Sequence, residues 1–176
     1  MKVMWAPWRM DYVLGPKADA CPFCLPGCAA ATTGAQNSEP DSTVDDAERM
    51  IVHRGKFAFV LLNKFPYNNG HLMVTPYRHV MNLEDLTPEE SRELMELVTL
   101  AARALKKYAT PEGINIGLNL GRAAGAGIAD HLHFHLVPRW VGDSSFIAVM
   151  DEVRMVPQHI RETYRQLSAV FKELAS

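Results

Sequence analysis

Three of the seven histidines stand at alternate positions in Asp130-His131-Leu132-His133-Phe134-His135-Leu136-Val137-Pro138-Arg139-Trp140. Alternation is the period of a β-strand, so the three imidazoles share one face while Leu132, Phe134 and Leu136 share the other. The apolar face can pack. The imidazole face can take up, hold and release protons near neutral pH, or bind a metal. A second group with chemical potential is Cys21-Pro22-Phe23-Cys24. Two thiolates this close bind one tetrahedral zinc from a single turn of chain but supply only half of its ligands. A redox CxxC is the competing reading, and it belongs at the start of a helix after a strand. Pro26 and Gly27 follow instead, which favours the metal.

Several segments must position these groups. Met50–Arg54 and Phe57–Asn63 are strand-like, Pro66-Tyr67-Asn68-Asn69-Gly70 is a turn cluster, and His71–Pro76 is a further strand, so the last two strands form an antiparallel hairpin. Thr87-Pro88-Glu89-Glu90 has the form of a capping box with proline at the first helical position. Leu94, Leu97, Val98, Ala101, Leu105 and Tyr108 then recur at helical spacing until Pro111-Glu112-Gly113 ends the helix. In the strand from Ile114 to Leu120, Ile114, Ile116, Leu118 and Leu120 are expected to face inwards, and Asn115, Gly117 and Asn119 outwards. The glycine- and alanine-rich stretch 121–128 leads into the histidine strand, and its backbone N–H groups are open to a phosphate. A last amphipathic helix begins near Pro157 with Ile160, Tyr164, Leu167, Val170, Phe171 and Leu174 as its stripe. His53 and His159, each isolated, are read as structural.

A chain of 176 residues with 48% hydrophobic residues suits one domain spanning 1–176. Within it, 1–25 is expected to be a docking segment anchored by Trp5, Trp8, Tyr12 and Leu14 and carrying the CxxC knuckle. Residues 26–46, poor in large apolar side chains, are expected to form a mobile loop with Cys28 as a spare thiol. The net charge of −2 and pI near 6.4 argue against sequence-independent nucleic-acid binding. No stretch approaches the roughly 18 uninterrupted apolar residues of a membrane span, and the N-terminus lacks the apolar core of a signal peptide. A soluble, cytoplasmic protein is expected, with no nucleic-acid or membrane partner.

The His-x-His-x-His pattern, preceded by Gly117-x-Asn119-x-Gly121, the Ala/Gly loop, Asn63 and Gly70-His71, resembles the histidine triad superfamily of nucleotidyl hydrolases and transferases. Trp5-Ala-Pro-Trp-Arg9, Cys-Pro-Phe-Cys, Pro66-Tyr67 and Pro138-Arg139-Trp140 with Gly142-Asp143 look like the bacterial branch that includes diadenosine tetraphosphate phosphorylases. The resemblance implies an α+β fold: an antiparallel sheet of about five strands, one long helix and a C-terminal helix, dimerising through a continuous sheet. It implies His133 as a nucleophile that forms a nucleotidyl-histidine, its second nitrogen donating to the carbonyl of His131. His135 would contact phosphate oxygens. Asn119 and the backbone of Ala126, Gly127 and Ile128 would stabilise developing charge. Asn63 would bind ribose, Trp140 would join the nucleotide site, and His71 would support the triad.

The resemblance also implies a structural zinc held by Cys21, Cys24, His79 and His131, a closed shell without a water position. The expected substrate is an adenine dinucleoside polyphosphate. Fragile-histidine-type hydrolases carry glutamine where this chain has Gly127, which favours inorganic phosphate over water as acceptor. Three alternatives stay open: a hydrolase of dinucleoside polyphosphates or nucleoside phosphoramidates, a zinc-stabilised nucleotide-binding module without turnover, and a cupin-like site in which all three histidines hold one metal.

Overall fold

The computed structural model describes residues 21–25, 45–124, 131–143 and 158–175. The expected N-terminal anchor up to residue 20, most of the 26–46 loop, Cys28, and Ala126, Gly127 and Ile128 lie outside them. Five strands form one antiparallel sheet: β1 (Ile51–Arg54), β2 (Ala58–Leu62), β3 (Leu72–Pro76), β4 (Gly113–Leu118) and β5 (Phe134–Arg139), in the order β1-β2-β3-β5-β4. The last strand in sequence is inserted between the hairpin and β4, which puts the histidine segment near the sheet centre and β4 at its edge. Two helices expected from periodicity are present, α2 (Pro88–Ala109) and α3 (Ile160–Ala175). A short helix, α1 (Asp46–Arg49), fills the stretch between the expected loop and β1 and overlaps that loop only at Asp46. Asp45 caps it by accepting from the Ala47 N–H at 2.8 Å, a local bond that overrides the polar composition.

Helices α2 and α3 cover one face of the sheet. There Val60, Leu62, Leu72, Val74, Leu132 and Leu136 pack against Leu94, Val98, Ala101 and Leu105 of α2 and Leu167 and Phe171 of α3. On the opposite face Phe23 and Leu25 from the knuckle cover Ile51, Phe59, Leu61, Met73 and Tyr77. Strands β2 and β3 are therefore buried on both sides, which explains their nearly unbroken apolar runs. The alternation expected in β4 points the right way, since Ile116 pairs with Leu136 on the helix side and Gly117 with His135 on the other. Burial does not follow, because Ile116 is 48% and Leu120 42% exposed. An edge strand has a neighbour on one side only, and the helices sit over the sheet centre.

The N-terminus of α2 is tied to the chain after β3. Thr87 and Glu90 form the reciprocal capping box, with the Thr87 N–H donating to Glu90 Oε2 at 2.8 Å and the Glu90 N–H to Thr87 Oγ1 at 3.2 Å. Arg78 grips the same carboxylate with two bonds, 2.9 Å from Nε to Oε1 and 2.6 Å from Nη2 to Oε2. Burial alone raises the pKa of Glu90, but the bonds from Arg78 and Thr87 outweigh it and hold the carboxyl below its ordinary value. With Glu90 only 3% exposed, Glu90→Gln leaves Arg78 without its counter-charge. The expected loss is about 2 kcal/mol, read as a lower urea midpoint at unchanged m-value.

Candidate active site and metal centre

The chain brings the two clusters of the sequence into contact. A turn closed by the Cys24 N–H on the Cys21 carbonyl at 3.2 Å aims both thiols at one point. His79 reaches that point from the segment after β3, and His131 from the segment before β5. Cys21 Sγ lies 3.3 Å from His131 Nδ1, and Cys24 Sγ lies 3.3 Å from His79 Nδ1 and 3.8 Å from His131 Nδ1. All four donor atoms fall within 4.8 Å of one another. Tetrahedral bonds of about 2.0–2.3 Å separate neighbouring ligands by roughly 3.5 Å, so the donor set fits a closed metal shell. His131 Nε2 is 3.0 Å from the Pro76 carbonyl. A carbonyl only accepts, so Nε2 carries the proton and Nδ1 turns its lone pair to the thiols, as a ligand requires. Burial pushes the His131 pKa down to about 4. This pairing of both cysteines with imidazoles forms a donor set that could hold a metal ion.

Three bonds anchor the next residues. Thr75 Oγ1 donates to the Leu132 carbonyl at 2.9 Å, the Leu132 N–H donates to the Val80 carbonyl at 2.7 Å, and His133 Nδ1 donates to the His131 carbonyl at 2.7 Å. The last bond makes His133 the Nδ1–H tautomer and leaves a lone pair on Nε2. His133 is 5% exposed. Burial pushes its pKa below the ordinary imidazole value, and the bond to His131 opposes that only in part. His131 and His133 both precede the hydrogen-bonded part of β5, so the alternation begins ahead of the ladder.

His135 belongs to a second chain of bonds. Asn63 Oδ1 accepts from the Phe65 N–H at 2.9 Å, which turns Asn63 Nδ2 towards His71 Nδ1, 3.3 Å away. The Tyr67 N–H donates to the same Nδ1 at 3.1 Å. His71 Nδ1 is therefore an acceptor, Nε2 bears the proton, and that proton is donated to His135 Nδ1 at 2.9 Å. His135 is left with its N–H on Nε2, the complement of His133. The Asn63 amide thus holds the turn and sets the His71 tautomer. Gly70, at φ +77°, makes the bend before His71 in the left-handed region. Asn68 ties the turn to β5 by donating to the Pro138 carbonyl at 3.0 Å and to Asp143 at 3.1 Å.

Gly117 pairs with His135, and among the described residues nothing lies within 4 Å of where a Cβ at Gly117 would stand. The ladder ends at Leu118 opposite Phe134, with the half-buried Asn119 the next residue after it and His133 the residue before Phe134. Trp140 is half-buried at the end of β5, its N–H 3.3 Å from Asp143 Oδ2. Phe23, Tyr67 and Thr75 were not singled out from sequence. The position of Phe23 between the two cysteines, and of Tyr67 in the Pro66-Tyr67 motif, was the available signal; Thr75 carried none.

Residues 45–141 match the profile of the HIT domain. A protein of Mycobacterium tuberculosis named AP-4-A phosphorylase is 44% identical over 165 residues, covering 94% of this chain and 82% of that one. The chain belongs to the histidine triad (HIT) family. A Saccharomyces cerevisiae bis(5'-adenosyl)-triphosphatase is 34% identical over 98 residues, 53% of this chain and 47% of that one. The solved structure of a Zn-bound HIT family protein from Mycobacterium smegmatis superposes with a TM-score of 0.59 at 27% identity, covering 72% of this chain and 86% of the other. The antiparallel sheet and its helices are thus those of the HIT fold.

Neutral imidazoles buried in a HIT site make stability depend on pH. Burial first, and the neighbouring His133 second, lower the His135 pKa from the ordinary 6.5 to about 4. Between these values the unfolded chain binds a proton that the folded chain refuses, so stability is full above pH 6.5 and declines as pH falls towards 4. Allowing for solvent screening, His135 accounts for on the order of 1–2 kcal/mol. Urea titrations at pH 7.5 and 5 are expected to show that loss in the wild type and a smaller one in His135→Gln.

Proposed function

We propose that this chain cleaves adenine dinucleoside polyphosphates by nucleotidyl transfer through His133, with inorganic phosphate as acceptor. The observation that carries the reading is the 2.7 Å bond from His133 Nδ1 to the His131 carbonyl, which presents Nε2 as an unprotonated nucleophile. In the first step Nε2 attacks the α-phosphorus, the bond from that phosphorus to the bridging oxygen breaks, and ATP departs from diadenosine tetraphosphate. In the second, a phosphate oxygen attacks the nucleotidyl-histidine, the P–N bond breaks, and ADP is released. His135, held as the Nε2–H tautomer, donates to the oxygen on which charge develops. Asn119 and the backbone of Ala126, Gly127 and Ile128 complete the charge stabilisation. Asn63 and Trp140 border the nucleoside, and His71 keeps His135 in its donor form.

Zinc is the metal we assign to Cys21, Cys24, His79 and His131; it supplies a structural cross-link, and its closed shell offers no position to substrate. The printed names of the M. tuberculosis and yeast relatives support a dinucleoside polyphosphate substrate, and Gly127 favours phosphate as acceptor. No helix among the described residues is long and apolar enough to cross a membrane; a nucleotide substrate, and Cys21 and Cys24 outside any disulfide, support a cytoplasmic location. The exposed Ile116 on edge strand β4, with Leu120 exposed two residues past its end, supports pairing with a second copy through a continuous sheet, checked by the solution mass of the wild type against Ile116→Lys.

Incubation with diadenosine tetraphosphate, with and without inorganic phosphate, tests the reaction. ADP plus ATP only in the presence of phosphate is expected. AMP plus ATP in both conditions means that water is the acceptor and the chain is a hydrolase. Binding without any product leaves only the non-catalytic nucleotide-binding module.

A further inference from the structure

We propose that Phe23 is a positioning residue for the nucleophile: carried between the two cysteines, its ring clamps the His133 imidazole against His135 so that Nε2 faces the substrate. The inference rests on the reading of His133 as nucleophile. Hydrogen bonding at Nδ1 fixes one point of the imidazole, and the histidine χ2 torsion is broad, so the ring can still rock about that pivot. Two ring contacts oppose the rocking. The Phe23 centroid lies 4.9 Å from that of His133 at 46°, and His135 lies 4.7 Å away at 75°.

The clamp itself is firmly seated. Phe23 is 2% exposed and packs with Leu25, Ile51, Phe59, Leu61, Met73 and Tyr77. Its ring also meets His131 at 5.4 Å, nearly edge-on at 75°. The turn that aims the two thiols therefore also sets the Phe23 ring, and the ligand His131 lends its carbonyl to His133. Through these two contacts the knuckle reaches both the plane and the proton of the nucleophile. Aromatic packing of this kind has a preferred geometry that an aliphatic side chain of similar burial lacks. Misplacing a reacting atom by about an ångström costs up to 100-fold in rate.

The test compares wild type, Phe23→Leu and Phe23→Ala as full chains, with zinc per chain measured in each. Single-turnover formation of nucleotidyl-His133 from diadenosine tetraphosphate is expected to slow about tenfold in Phe23→Leu and up to 100-fold in Phe23→Ala, with KM changed less than about twofold. Long-range 1H–15N spectra are expected to show one Nδ1–H tautomer for His133 in the wild type and averaged ring-nitrogen shifts in the variants. Phe23→Leu preserves apolar filling of the cluster, so it decides the matter if Phe23→Ala loses zinc or fails to fold. Wild-type rates and a single tautomer in a folded, zinc-loaded variant overturn the clamp. A wild type that forms no nucleotidyl-histidine overturns the nucleophile reading instead, and the spectra alone then judge whether Phe23 orders the ring.

Discussion

His133→Ala is expected to reduce turnover of diadenosine tetraphosphate by on the order of 10⁴-fold or more, about 5 kcal/mol of transition-state stabilisation. The size of the loss follows from its kind: on the proposed mechanism the variant lacks the atom that would form the intermediate, whereas changes at its neighbours only misplace it. Binding should survive, because the other groups proposed to hold the nucleotide are unchanged. Acid-quenched wild-type enzyme should carry one covalently bound nucleoside monophosphate, seen by intact mass, and His133→Ala none. Unimpaired turnover in this variant would falsify the assignment of the nucleophile. The neighbouring His135→Gln should be milder, since an amide still offers an N–H towards the substrate, and a fall of about 10²-fold in kcat is expected.

Removing the proposed zinc is expected to have the largest effect on stability. Cys21 and His131 are 110 residues apart in the chain, and a cross-link closing a loop of that order restricts the unfolded state by about 4–5 kcal/mol in the chain-entropy picture. At roughly 2–4 °C per kcal/mol for a chain of this size, Tm should fall by about 10–20 °C on chelation. Cys24→Ser should do the same without chelator. The loss should also reach chemistry, because His131 holds His133 through its carbonyl at 2.7 Å. A Tm indifferent to chelator, or protein purified with well under one zinc per chain, sinks the structural zinc.

Local rules made much of this molecule readable. The capping box at Thr87 and Glu90 is present as expected, and a 3.6-residue period turns both helix stripes to the core: α2 buries Leu94, Leu97, Val98, Ala101 and Leu105, and α3 buries Leu167 and Phe171, while Tyr108, Ile160, Tyr164, Val170 and Leu174 are partly buried against the same core. The histidines of 131–135 and the apolar residues between them do take opposite sides of the sheet. In contrast, the short helix at Asp46–Arg49 depends on a single capping bond amid polar residues, a signal too weak to stand out. Phe23 was passed over because an aromatic residue inside a knuckle looks like ordinary core, and only its 4.9 Å approach to His133 distinguishes it.

The deeper division lies between what residue type dictates and what proximity dictates. By itself the sequence determined which atoms can act as nucleophile, donor and metal ligand, since that chemistry belongs to imidazole and thiolate wherever they stand. It also determined strand and helix periods, because these are properties of neighbouring residues. Tertiary structure decided the protonation of each ring: the Pro76 carbonyl for His131, the His131 carbonyl for His133, and Tyr67 and Asn63 acting through His71 for His135. It also decided that Ile116 and Leu120 stay uncovered, because insertion of β5 between β3 and β4 makes β4 the edge. A tautomer is set by whichever acceptor or donor lies within about 3 Å of a ring nitrogen, and bonds such as that between His71 and His135, 64 residues apart, exist only once the sheet has formed.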